Sequence, residues 1–350
     1  MIIVHYLDHR LPKSLPSPPG GNDEQYRSGK IVVITGANAG IGYETSRRLA
    51  VDYGMTVIMG CRSTSKCRVA SASIDDELRL LGRGGGTTGT ARNVVVDVLF
   101  NNAGYVPISG TPVDDVTGLE SSFMSMHLSH LYLTELLLRR NPKLRVVNTS
   151  SGTHHICALL NSMNYYIMFS RTTLGIRGDG HGGGGGGCIN DGFFVRGWNS
   201  ATDGRAYIRA KLANVMHVVE LPRRHPEATA IVVDLGWVGT SIQPFMTGSI
   251  FTPANLGMMR SARVGIHPVL IAVLSSEARL CDDLDVGRKL NDAGISLDSF
   301  GRSTEAFTAG WWWKKYEGGG EDMSRDGMLR IGERLWDESV KILQDHGHLL

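Results

Sequence analysis

No run of apolar residues in this 350-residue chain approaches the ~18 that a membrane-crossing helix needs, so no spanning segment is expected. Met1 to Val4 is likewise too short for the apolar region of a secretory leader. Charge of one sign is also lacking. The 36 basic and 34 acidic residues leave a formal net charge of +2, which offers no broad attraction to nucleic acid or to an anionic membrane. Cysteine is scarce: Cys61, Cys67, Cys157, Cys188 and Cys281 are odd in number and contain no Cys-x-x-Cys pair. That pattern speaks against a disulfide framework and against a structural zinc site, so no metal is expected. The expectation is a reducing, cytoplasmic setting in which each cysteine serves as a small buried apolar residue.

What is present is enough apolar material for a sizeable core. With 42% hydrophobic and 20% charged residues, the chain can build one large α/β domain or two small ones. Residues 11 to 29, rich in proline and glycine, read as a surface arm, so 1–28 is taken as a flexible N-terminal arm and 29–345 as the domain. Its key stretch is Ile31-Val32-Val33-Ile34-Thr35-Gly36-Ala37-Asn38-Ala39-Gly40-Ile41-Gly42. A buried strand hands over, through a glycine turn, to a segment of helical composition. Glycines let a pyrophosphate approach the backbone, and a helix N-terminus offers free N–H groups to it. Gly36, Asn38, Gly40, Ile41 and Gly42 are therefore candidate dinucleotide contacts. A P-loop would need Gly-Lys-Ser/Thr, whereas Gly42 is followed by Tyr43 and Glu44.

Met55 to Met59 forms a second strand and completes a βαβ unit. Arg62 follows 20 residues after Gly42, where an acidic residue would bind a ribose hydroxyl and an arginine would accommodate a 2′-phosphate. Arg62 and Lys66, with no acid between Met55 and Lys66, favour NADP(H) over NAD(H); the alternative is a solvated basic loop. Asn93 to Phe100 reads as another strand, closed by Asn101-Asn102-Ala103-Gly104, small residues that let the chain pass close to a ligand. Only 30 residues separate Arg62 from Asn93, about half of what two further crossovers need, so this region is expected to lack one strand and helix or to carry them in degraded form. Residues 114–140 carry a helical apolar stripe that includes Met126. Leu144 to Gly152 is a strand ending in a hydroxyl-bearing turn with Ser151, a position that hosts catalytic groups in open sheets but that is also an ordinary turn composition. About 160–204, with six consecutive glycines from Gly182 to Gly187, is expected to be a disordered insertion. Tyr207 and Lys211 then share one face of a helix, either as a functional phenol and ammonium pair or as a surface pair of small energetic weight. Ala230 to Leu235 is a further buried strand, leaving through Gly236-Trp237-Val238-Gly239-Thr240.

In this order the landmarks Thr35-Gly36-x-x-x-Gly40-Ile41-Gly42, Asn101-Asn102-Ala103-Gly104, Ser151, Tyr207-x-x-x-Lys211 and Gly236-Trp237-Val238-Gly239-Thr240 resemble the short-chain dehydrogenase/reductase family. Val147 to His155 and Lys211-Leu212-Ala213-Asn214 resemble its retinol-dehydrogenase-like and fungal secondary-metabolite branch. The resemblance implies a single-domain, doubly wound parallel sheet of Rossmann type with an NADP(H) site. It also implies interconversion of a carbonyl and an alcohol on a small lipophilic substrate. Ser151, Tyr207 and Lys211 would be catalytic, Tyr207 donating the proton and Lys211 lowering its pKa while holding the ribose. Asn101, Asn102, Ala103, Gly104, Tyr207, Lys211, Val238 and Thr240 would join the cofactor contacts, and a homo-oligomer is compatible with the pattern. The chain departs from the family at Met126, where relatives carry a proton-relay asparagine, and in the 56 positions between Ser151 and Tyr207. These departures keep open a second reading, an inactive relative that binds dinucleotide or a partner. Gln243 to Met259 would cover the substrate. Trp311, Trp312 and Trp313 are read as packing, and Met328 to Leu343 as a closing amphipathic helix.

Overall fold

The computed structural model describes residues 29–82, 94–106, 119–151, 201–236, 238–240, 260–274, 306–307 and 325–348. The arm 1–28, most of the glycine-rich insertion, the covering segment from Gln243 to Met259 and Trp311, Trp312 and Trp313 lie outside the described residues.

Strand β1 (Ile31–Thr35) leads through the glycine turn into helix α1 (Gly40–Val51), and β2 (Thr56–Gly60) into α2 (Thr64–Leu80). The Ser63 hydroxyl caps α2 by accepting the Lys66 N–H. Strand β3 (Val98–Asn101) follows. Helix α3 (residues 121–138) consists of Ser121–Phe123, a π-helical turn Met124–Leu128 and Ser129–Leu138. Its start is fixed by the Glu120 carboxylate, which accepts the N–H groups of Ser122 and Phe123 at 2.6 and 2.9 Å. Strand β4 (Arg145–Ser150), helix α4 (Ala201–Arg224), β5 (Thr229–Asp234), two short helices α5 (Ala262–Gly265) and α6 (His267–Leu274), β6 (Ala306–Phe307) and α7 (Arg325–Asp345) complete the order.

The strands assemble as β2-β1-β3-β4-β5-β6, the first five parallel and β6 antiparallel to β5. All six residues of β4 are buried, as a central parallel strand covered on both faces requires. One face packs Leu99, Val146 and Val232 against Leu131, Leu212 and Leu335 of α3, α4 and α7. The other packs Ile34, Phe100 and Val233 against Leu49, Leu78 and Leu270 of α1, α2 and α6. This is the expected doubly wound α/β domain. After α2 the chain reaches β3 on the opposite side of β1, and β2 is the sheet edge among the described residues. The order therefore reverses between β1 and β3, and a crevice opens beyond their carboxyl ends.

Three expectations need correction. Of the strand expected at 93–100, the described residues form regular strand only from Val98; Asp97 still bonds through its backbone to Ile31 and Arg145, whereas Val95 faces solvent. The insertion ends earlier than 204, since 201–204 already belong to α4. The cysteines are not all isolated: Cys61 and Cys67 are half-buried and joined as a disulfide across the start of α2, a pairing at a separation of six that no Cys-x-x-Cys rule detects.

Candidate active site

The crevice is built from backbone before any side chain enters it. Gly36 has φ +66°, and the N–H groups of Gly36 and Ala37 donate to the Gly60 carbonyl at 2.8 and 3.3 Å, so the turn is bolted to the end of β2. A Cβ on Gly36 would lie 3.0 Å from Ala103 Cα, and one on Gly42 would lie 2.3 Å from the Gly36 carbonyl oxygen. Only glycine allows this closeness. Ile41 and Gly42 are buried and Asn38 is half-buried. The N-terminus of α1 has no side-chain cap and no acidic residue in its first turn, which leaves its N–H groups and partial positive charge toward the crevice. From the far side Thr240 Cγ2 stands 3.2 Å from where a Gly40 Cβ would be. Val238 is buried and bridges Arg260. Arg62 and Lys66 are exposed where β2 hands over to α2. Trp237 lies outside the described residues.

The Asn101–Gly104 turn closes the crevice. Asn102 donates its side-chain amide to the Thr35 carbonyl at 2.9 Å, and the backbone N–H groups of Asn102 and Ala103 both donate to Thr35 Oγ1 at 2.9 Å. Asn101 is buried and gives its amide to Asn148 Oδ1 at 2.8 Å. Asn148 in turn donates to the Asn214 carbonyl at 3.2 Å, and the Asn214 amide donates to the Thr149 carbonyl at 3.0 Å. A file of amides thus crosses the core from β3 to α4.

Ser151, Tyr207 and Lys211 come together at the end of β4. Ser150 Oγ donates to the Lys211 carbonyl at 3.0 Å, tying α4 to the strand. Lys211, 3% exposed, donates Nζ to the Thr149 carbonyl at 3.1 Å and lies 5.5 Å from the Tyr207 ring centre. This burial excludes a surface pair. Burial pushes the Tyr207 phenol up to about 12, a hydrogen bond from Ser151 draws it down, and the Asp234 carboxylate raises it again. The Lys211 ammonium stands over the Tyr207 ring while its hydrogen bond goes to the Thr149 carbonyl. Burial lowers Lys211 itself to about 8, against the opposing pull of Asp234.

Met126, fully buried as its place on the apolar stripe predicts, sends its sulfur to 3.0 Å from where a Gly104 Cβ would stand, and Lys211 Nζ is 3.6 Å from that same point. Asp234, Asn214, Thr149 and His130 were not singled out as site residues from the sequence. Their relevance comes from long-range contacts with no local signature, although an acid at the end of β5 was a visible cue for Asp234.

No protein-family profile matches the chain. Individual proteins do. Mouse retinol dehydrogenase 14 is 30% identical over 62% of this chain and 62% of its own length, and a short-chain dehydrogenase/reductase of Armillaria gallica is 26% identical over 71% of this chain and 80% of its own. The chain is similar in sequence to retinol dehydrogenases and to short-chain dehydrogenases/reductases. A crystal structure of a Mycobacterium paratuberculosis protein shares this fold, with TM-score 0.52 and 24% identity over 91% of this chain and 94% of that one. The chain spans 36–62% of the length of the retinol dehydrogenases and WW domain-containing oxidoreductases it matches. Among the described residues no helix is long and apolar enough to cross a membrane, and no group of three or more His, Cys, Asp or Glu is placed to hold a metal ion.

Proposed function

We propose that the protein is an NADP(H)-dependent oxidoreductase that interconverts a carbonyl and an alcohol on a small lipophilic molecule, a role compatible with secondary-metabolite biosynthesis. The observation that carries this reading is the convergence of Tyr207, Ser151 and Lys211 beside the side-chain-free Gly36 and Gly42 turn. That turn, with the uncapped start of α1, fits a pyrophosphate, while Arg62 and Lys66 beyond β2 fit a 2′-phosphate. The bound nicotinamide supplies or accepts a hydride. The chain's own residues manage the proton. With its pKa near 12, Tyr207 stays protonated through the neutral range and is available as a proton donor to a carbonyl oxygen that gains negative charge. Ser151, already bonded to that phenol, can hold the same oxygen and fix its distance. Lys211, held below about 8 as an ammonium, supplies positive charge beside the ring and a donor for the ribose.

The test is oxidation of NADPH by recombinant protein against a panel of ketones, aldehydes and quinones. Turnover of any class supports the reading, and none, with NADPH bound, favours the second one. That second reading, a dinucleotide-binding chain without turnover, draws on Met126, whose thioether lies against Gly104 at the position where the family resemblance places a relay asparagine.

A further inference from the structure

His130 sits on α3, 3% exposed, 95 positions from Thr35 in the chain, yet its Nε2 is 2.9 Å from Thr35 Oγ1 and its Nδ1 is 2.9 Å from the Met126 carbonyl oxygen. These contacts fix every proton. A carbonyl can only accept, so Nδ1 carries the hydrogen and Nε2 of the neutral ring is an acceptor. Thr35 Oγ1 must then donate its single proton. Two acceptors lie in reach, Nε2 at 2.9 Å and the Phe100 carbonyl at 3.5 Å, and the shorter bond wins. With its proton committed to His130, the Thr35 oxygen keeps both lone pairs for the N–H groups of Asn102 and Ala103, each 2.9 Å away. Burial lowers His130 to about 4, against the stabilising bond to Met126 and with the charge of Lys211, so the ring stays neutral at ordinary pH.

We infer that His130 is a positioning residue of the dinucleotide site: it orients the Thr35 hydroxyl so that this oxygen clamps the Asn102–Ala103 turn against Gly36. The inference rests on the proposed cofactor reading, and it reaches the crevice without touching the ligand. Without the ring, the hydroxyl keeps only the longer bond to the Phe100 carbonyl at 3.5 Å, its orientation is no longer fixed, and the turn loses its fixed spacing from Gly36, where only 3.0 Å separates Ala103 Cα from the Gly36 Cβ position. The loss should therefore fall on binding of the dinucleotide more than on the chemical step.

The experiment measures NADPH dissociation constants by nicotinamide fluorescence, kcat at saturating NADPH, and thermal midpoints for wild type, His130→Leu, His130→Asn, His130→Gln, Thr35→Val and the Leu/Val double variant. His130→Leu is expected to weaken NADPH binding about tenfold with saturated kcat little changed. His130→Gln, long enough to offer Thr35 an acceptor, should restore binding. His130→Asn, long enough only for the Met126 carbonyl, should behave like Leu, and it keeps the test valid should Leu fail to fold. His130→Leu should cost nothing further in the Thr35→Val background. The inference is overturned if NADPH affinity is unchanged while the midpoint falls, if the Thr35 and His130 losses add, or if Gln and Asn behave alike. Wild-type protein that binds neither NADPH nor NADH overturns the cofactor reading itself, which is a different result from a variant that matches a binding-competent wild type.

Discussion

Mild acid should unfold this protein through three histidines that the helical layer buries without charge partners. His127, His130 and His217 are 1, 3 and 1% exposed. His127 Nε2 meets Ser339 Oγ at 3.0 Å, and His217 packs edge-on at 6.0 Å from His127 and 5.4 Å from Trp336 with no hydrogen-bond partner for either ring nitrogen among the described residues. Burial is the leading cause in each case, lowering His127 to about 3, His130 to about 4 and His217 well below its ordinary value. In the unfolded chain all three titrate near ~6.5, so below that pH the unfolded state binds the extra protons and the folded state does not. Stability from keeping the rings neutral is thus complete above about pH 6.5 and lost as pH falls from there toward the folded pKa values. At pH 5.5 each ring costs about 1.4 kcal/mol, and together they cost about 4 kcal/mol, a fall on the order of 10 °C in Tm. The window from 7.5 to 5.5 lies above the range in which ordinary carboxylates titrate. Thermal melts and urea midpoints across it should show the loss, and His217→Leu should remove about a third of it while leaving the protein no less stable at pH 7.5. Equal acid losses in wild type and His217→Leu would refute the argument.

Four further outcomes are expected. Gly42→Ala should abolish NADPH binding, measured by fluorescence titration, because its Cβ would lie 2.3 Å from the Gly36 carbonyl oxygen, which is backbone and cannot swing away. Arg62→Asp should exchange a preference for NADPH of roughly tenfold for one toward NADH, since a carboxylate repels the 2′-phosphate and accepts from a free ribose hydroxyl. Tyr207→Phe should leave NADPH binding intact and lower turnover about 10²-fold or more, whereas Lys211→Met should damage both; turnover retained in the Phe variant would mean another group donates the proton. Met126→Asn should raise kcat with little change in NADPH affinity if the relay position limits turnover, and no gain would place the limit elsewhere.

The fold was legible in the sequence wherever the signal is local. The apolar run at 31–34, the glycine spacing to Gly42 and the Ile208, Leu212, Val215 and Val219 stripe each declare an element without reference to the rest of the chain. Errors arose where a distant partner decides the outcome. Val94 to Val96 has the composition of a strand, but the backbone bonds to β1 and β4 begin only at Asp97, and Val95 is left facing solvent. The site shows the same division. The glycine turn and the Tyr207 and Lys211 spacing could be read directly, whereas the direction of the lysine could not. Helical periodicity places Lys211 on the face of Tyr207, but only the position of the Thr149 carbonyl shows that the ammonium's hydrogen bond goes to the strand. His130 was invisible for the same reason, since nothing near residue 130 announces a threonine 95 positions earlier.

The anchor of Lys211 is also silent to mutation. Its ammonium and the Asn214 amide both rest on the carbonyl of Thr149, at 3.1 and 3.0 Å, and a main-chain oxygen is present whatever side chain position 149 carries. Side-chain scanning would report Thr149 as dispensable while its backbone goes on setting where the charge sits. The lysine's position is therefore inherited from the course of β4, and it can be altered only by moving the strand or by changing the two donors that share its oxygen.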